Sequence, residues 1–108
     1  MSNPDYQIVF MTASGEDEAE RIALALVEGG LAACVNVIDG CRSIYRWKGE
    51  TVRDTETMLF AKTRRAKFDE IVRVVSELHS YDVPEIIAAD LTAFSQAYGA
   101  FLRDTLDG

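Results

Sequence analysis

LAACVNVIDGCRSIYRWKGETVRDTETMLFAKT, residues 31–63, is the stretch on which the fold turns. Residues 31–38 form an apolar run that Asp39-Gly40 interrupts. The chain then continues extended through Cys41 to Trp47, with Tyr45 and Trp47 on one side and Ile44 and Arg46 on the other. A long strand, bent or bulged at Asp39-Gly40, accounts for both halves. Lys48-Gly49-Glu50 follows as a turn, because a glycine between two β-rich runs can take positive φ. Residues 51–63 return, polar at first and apolar from Thr57 to Ala61. That change of composition predicts a hairpin whose tip projects beyond its sheet.

Residues 6–13 carry Ile8, Val9, Phe10 and Met11 in succession, which suits a central strand covered on both faces. Ser14 and Asp17 have capping-box spacing, Glu16 to Glu18 suit the positive end of a helix dipole, and Gly29-Gly30 stops the segment. A helix over residues 15–28 follows, with Ala19, Ile22, Ala23, Leu26 and Val27 as its apolar stripe. Thr63 is positioned to cap a second helix bearing Phe68, Ile71, Val72, Val75 and Leu78, which ends near His79-Ser80. Residues 83–91 read as a fourth strand with Pro84 near its start, and residues 94–106 as a short amphipathic helix. The order β α β β α β α, without repeat or linker, predicts one domain over residues 1–108. Its class is α+β: a ferredoxin-like split βαβ arrangement, an antiparallel sheet with two helices on one face and an added C-terminal helix. That last helix is too short to cover the second face, so association with further copies is expected.

Of 108 residues, 11 are Lys or Arg and 18 are Asp or Glu, a net charge of −7. With a pI near 4.6 and no basic stripe, the chain lacks the phosphate-neutralising charge that dominates nucleic-acid affinity. No run approaches the ~18 apolar residues of a membrane span, and the first residues show neither a basic nor an apolar leader segment. A cytoplasmic protein without nucleic-acid or membrane partners is expected. In that compartment Cys34 and Cys41 are free thiols. Seven residues apart, they fall on opposite faces of a regular strand and on one face if the bulge lies between them.

The chemistry-bearing residues are scattered. His79, the single histidine, reads either as a solvated helix-end residue interacting with the dipole or as a functional imidazole. Cys34 reads first as a small hydrophobe in a buried strand, and Cys41 as the more exposed thiol. No CxxC, HxxH or HExxH motif makes a local metal site, and no GxSxG, P-loop or GxGxxG motif suggests an enzyme. Tyr45 and Trp47 at the hairpin suit an interface more than a stacked ligand. Glu56, Lys62, His79, Tyr81 and Glu85 fall near strand ends, where a mixed-charge cleft can form. A His79–Glu85 acid–base pair is the enzymatic alternative, for which nothing names a substrate.

Four segments in order, Leu31-Ala-Ala-Cys-Val-Asn36, Ser43-Ile-Tyr-Arg-Trp-Lys-Gly49, Lys62-Thr63 and Leu78-His-Ser-Tyr-Asp-Val-Pro-Glu-Ile86, resemble the motifs of the CutA family of divalent-cation tolerance proteins. The resemblance runs from about Ile8 to Ala89. It implies a ferredoxin-like fold, a homotrimer joined through sheet edges and the long hairpin, architectural kinship with the PII signalling proteins, and a non-enzymatic role in tolerance of divalent metals, chiefly copper. It points to Cys34 as a metal ligand and to Trp47, Glu56, Lys62, His79, Tyr81 and Glu85 as a cleft between subunits. The expected metal set is thus Cys34, His79, Glu56 and Glu85, with Cys41 in reserve: thiolate for Cu(I), imidazole and carboxylate for Cu(II) or Zn(II). The alternative is a PII-like sensor whose cleft, lined by Trp47, Lys62 and Tyr81, holds an anionic small molecule through Lys62. Ser80 stands where the family commonly has proline, and the segment after Ala89 lacks the family's glycine-containing connection and late tryptophan.

Overall fold

The computed structural model describes residues 5–107. The start of the chain, read above for a leader, lies mainly outside the described residues. Along the described chain run β1 (Tyr6–Ala13), α1 (Glu16–Glu28), β2 (Cys34–Trp47), β3 (Glu50–Arg64), a 3₁₀ turn (Arg65–Lys67), α2 (Phe68–Leu78), β4 (Ile86–Asp90) and α3 (Gln96–Asp107). The strands form one antiparallel sheet in the order β2-β3-β1-β4, the split βαβ arrangement read from the sequence. Val9, Met11, Leu59 and Ala61 point from the central strands into a core closed by Ile22 and Leu26 of α1 and Ile71 and Val75 of α2. Both helices therefore cover one face. On the other, α3 lays Leu102 and Leu106 against Tyr6 and Ala33, closing only the end of the sheet where β1 begins. A close approach fixes Gly99 there: a Cβ would stand 2.6 Å from the Phe94 ring, which itself packs edge-on against Tyr6.

The hairpin is long and fully paired, from Cys34 opposite Lys62 to Trp47 opposite Glu50. Lys48 and Gly49 turn it, with φ of 50° and 82°, the positive values a two-residue hairpin loop requires. Between the Ile38–Met58 and Cys41–Glu56 pairs, β2 carries one residue more than β3, a bulge at Asp39-Gly40 where Gly40 has φ 76°. The extra residue restores the pleat, so Cys34 and Cys41 share the open face. The Asp39 carboxylate accepts the Thr57 hydroxyl at 3.2 Å and holds the bulge to β3.

Three local expectations are corrected. Glu18, not Asp17, reaches back to the chain before α1, accepting the Ser14 N–H at 3.0 Å, and Gly15 at the N-cap offers no side chain. Thr63 stays in β3, fully buried, and donates its hydroxyl to the Leu31 carbonyl at 2.6 Å; the 3₁₀ turn, not a Thr63 cap, leads into α2. β4 begins at Ile86, not at residue 83, because Pro84 and the turn before it keep residues 83–85 out of the ladder.

The hairpin stretches the molecule to 45 × 25 × 23 Å with a radius of gyration of 14.5 Å. About 13 Å is expected for a compact chain of this length. The surface is 6677 Å², against roughly 6,000 Å² for a compact monomer of the same mass. Ile38, Tyr45, Trp47 and Ile87 are exposed large apolar side chains on the open face, and Ile44, 63% exposed, stands on the reverse of the hairpin. An unpartnered face of this kind marks an interaction surface.

Candidate functional site

Residues 79–85, the connection from α2 to β4, are placed by buried polar contacts and not by regular structure. The imidazole of His79 is fully enclosed. Its Nε2 lies 2.6 Å from the Thr12 carbonyl of β1, and its Nδ1 accepts the Tyr81 N–H at 3.1 Å. These partners assign the neutral tautomer that carries the proton on Nε2. The Glu18 carboxylate, 5% exposed, stands 3.5 Å from Nδ1 and accepts the Ser80 N–H at 3.1 Å as well as that of Ser14. His79 is thus neither a solvated helix-end residue nor a free imidazole, and its neighbouring carboxylate is Glu18, not Glu85. The geometry makes it a spacer that sets the path of the connection over β1.

Burial on its own raises the Glu18 carboxyl, but the hydrogen bonds from the Ser14 N–H and from Ser80 outweigh it and hold the pKa below the ordinary 4.5. Asp90, hydrogen-bonded by Gln7 and paired with Arg65, and Asp107, paired with Arg64, are lowered too, at more exposed positions. The sign follows: a group with a depressed folded pKa contributes stability above its unfolded value and loses it as the pH falls through the folded value. Melting temperature should therefore hold from neutrality down to about pH 4.5 and decline below it. Glu18→Gln should start lower at pH 7 and show a shallower acid limb in thermal melts; a limb of unchanged steepness would remove Glu18 from the linkage.

Tyr81 leads from this buried cluster to the surface. Its ring packs on His79 at 4.6 Å between centroids, and its hydroxyl donates to Glu56 Oε2 at 3.0 Å. Burial first, and the Glu56 hydrogen bond second, push the phenol far above its usual range, so the hydroxyl stays a donor. Beside it opens a cleft of about 620 Å³ whose walls include Tyr45, Trp47, Glu56, Tyr81, Asp82 and Glu85. The strand register sorts the hairpin charges by face: Glu50, Asp54 and Glu56 lie with Tyr45 and Trp47, while Arg42, Arg46 and Arg53 lie on the reverse.

Of the residues read from the sequence as one cleft, Trp47, Glu56, Tyr81 and Glu85 are brought together, and His79 lies beneath them. Lys62 is not. It sits six residues from Glu56 along β3, roughly 20 Å away, paired across strands with Cys34 and hydrogen-bonded to Asn36. Cys34 and Cys41 are half-buried free thiols separated by the same span, since Cys41 faces Glu56. Among the described residues no three His, Cys, Asp or Glu side chains converge as a metal-holding group. Cys34, His79, Glu56 and Glu85 therefore do not form one site within a single chain. Sequence reasoning missed Asp82 as a cleft residue and Glu18 as the buried anchor. Asp82 adjoins Tyr81, a usable signal; Glu18 resembles any exposed first-turn acid until the connection folds over it.

A family model described as CutA1 divalent ion tolerance protein matches residues 7–105. A Thermus thermophilus divalent-cation tolerance protein CutA is 44% identical over 98 residues, 91% of this chain and 95% of that one. The chloroplastic protein CutA of Arabidopsis thaliana is 35% identical over 91% of this chain and 54% of its own length. Among solved structures, the Thermus thermophilus divalent cation tolerance protein superposes with a TM-score of 0.90 at 43% identity, covering 93% of this chain and 97% of that one. The periplasmic divalent cation tolerance protein CutA of Archaeoglobus fulgidus gives 0.90 at 35% identity over 94% and 98%. Relatives bearing this sequence pattern are thus named for more than one compartment. Among the described residues no helix is long and apolar enough to cross a membrane.

Proposed function

The chain belongs to the CutA1 divalent ion tolerance family, and from that premise we propose that it serves divalent-cation tolerance in the cytoplasm as a homotrimer that binds metal, chiefly copper, and catalyses nothing. The observation that carries this reading is the open sheet face: it is apolar, lacks cover over most of its length, and bears both free thiols. The reverse of the hairpin is basic where its aromatic face is acidic, which favours head-to-tail contacts closing into a ring. Donors for a soft Cu(I) ion then come from more than one copy, because one chain supplies only thiols roughly 20 Å apart. Calorimetric titration of the metal-free oligomer with Cu(I) should give saturable binding at less than one ion per chain, abolished in Cys34→Ala/Cys41→Ala. Binding that survives in the double variant sinks the thiol assignment, and no binding in the native protein sinks the metal reading.

The cleft favours a second reading, a PII-like trimer that senses a small molecule. That reading expects an anionic ligand held through Lys62; within one chain Lys62 lies away from the carboxylate-lined cleft, so the lysine would have to come from another copy.

A further inference from the structure

The last helix, α3, lies across the open face at the end where Cys34 stands. Tyr98 sets its hydroxyl against the Cys34 thiol, and burial first, then that thiol, push the phenol above its ordinary range. The hydroxyl therefore stays protonated beside the sulfur. On its other side the thiol meets Asn36, whose amide oxygen lies 3.9 Å from Sγ and also accepts a hydrogen bond from the Lys62 ammonium. Two kinds of contact hold the helix down. Leu102 and Leu106 pack with Tyr6 and Ala33 in a small cluster that shares no residue with the main core between sheet and helices. At the far end the Arg64 guanidinium grips the Asp107 carboxylate through two N–H···O bonds of 2.7 and 2.9 Å. The same guanidinium donates to the Tyr6 hydroxyl at 3.1 Å and lies over that ring at 4.8 Å. All of these contacts are within one chain, so association adds to the cover over Cys34 and does not create it.

A helix held by its own satellite cluster can open while the main core stays closed. Its ion pair is built to give way: the Arg64 and Asp107 side chains are 25% and 45% exposed, and pairs in such positions contribute little. The 12 residues of α3 move as one rigid rod, so freeing Asp107 at one end shifts Tyr98 near the other. We propose that α3 is a latch over Cys34: closed, it keeps Tyr98 on the sulfur, and released at the Arg64–Asp107 pair, it uncovers the thiol. An uncovered thiol is open to attack on a disulfide and to a soft metal ion. The latch rests on the metal reading only for what the thiol receives; the cover itself is a matter of access.

The chain has two cysteines, so Cys41→Ser leaves Cys34 as its one thiol. Its thiolate attacks dithiobis-nitrobenzoate, forming a mixed disulfide and releasing a coloured aryl thiolate that times the opening. In this background and on the intact oligomer, Asp107→Asn should speed the reaction roughly threefold. Tyr98→Phe removes the hydroxyl, leaves the ion pair and should speed it about twofold. Asp104→Asn, changed at a 77% exposed side chain of the same helix, should leave the rate as it was. Equal rates for Asp107→Asn and its parent, with the mass in light scattering unchanged, overturn the proposal and assign the protection to neighbouring copies. Should Asp107→Asn dissociate the oligomer, Tyr98→Phe decides, and an unchanged rate there overturns the latch equally. Reaction of the parent at the rate of an unfolded thiol overturns it too. Cu(I) titration separates the two readings. Faster reagent access in Asp107→Asn without Cu(I) binding upholds the latch and sinks the metal reading, and Cu(I) binding with uniform reagent rates does the reverse.

Discussion

His79→Ala should cost about 3 kcal/mol or more of folding stability, the largest loss expected from a single substitution around the cleft. Two buried partners lose their hydrogen bonds, the Thr12 carbonyl and the Tyr81 N–H, each at a penalty of about 1–3 kcal/mol. A cavity the size of an imidazole adds to this. For a chain of 108 residues such a change lowers the melting temperature by roughly 12 °C or more, compared at fixed protein concentration because association contributes to the midpoint. His79→Phe fills the space and leaves the same polar groups unmatched, so it should recover only the packing part. A loss below about 1 kcal/mol for His79→Ala would show that water or a rearranged connection satisfies those groups.

The second large effect concerns the hairpin. Deleting Tyr45 and Arg46 from β2 and their cross-strand partners Val52 and Thr51 from β3 removes two residues per strand, which preserves register, facing and the Lys48-Gly49 turn. The sheet, the two-helix core and His79 are untouched, so each chain should still fold. What it loses is apolar projecting surface and one arginine of the basic reverse face. Light scattering at micromolar concentration should move from a trimer toward the 12.0 kDa chain, and melting temperature should fall and lose the concentration dependence that association gives the native midpoint. A shortened chain that keeps both the native mass and the native midpoint would place the association elsewhere. A well-folded 12.0 kDa monomer for the native sequence would end the trimer proposal outright.

The legible parts of the sequence share one physical property: they depend on residues close along the chain. The alternation across residues 41–47, the glycine of the turn and the stripe on α2 each express a local period, and each element stands where that period puts it. The bulge belongs here too, since Asp39-Gly40 breaks an apolar run in a way that only an extra, positive-φ residue accommodates. Capping was less legible. Ser14 and Asp17 have the right spacing, but Glu18 is placed to accept N–H groups both from its own helix entry and from Ser80, 62 residues away. Thr63 likewise looks like a helix cap until the Leu31 carbonyl is seen beside it.

Composition and local pattern were therefore enough to determine a ferredoxin-like α+β chain with a projecting hairpin, an apolar second face and no phosphate-binding charge. The tertiary structure alone decided which of the candidate side chains meet. Lys62 was kept roughly 20 Å from Glu56 along β3, while Glu56, Tyr81 and Trp47 were gathered from three segments into one cleft. The burial of His79 and the hydrogen bond from Tyr81 to the Glu56 carboxylate followed from the same step. Contacts between distant segments depend on strand order and register, which minimise exposed apolar surface over the whole chain and leave no signature in any short window of it.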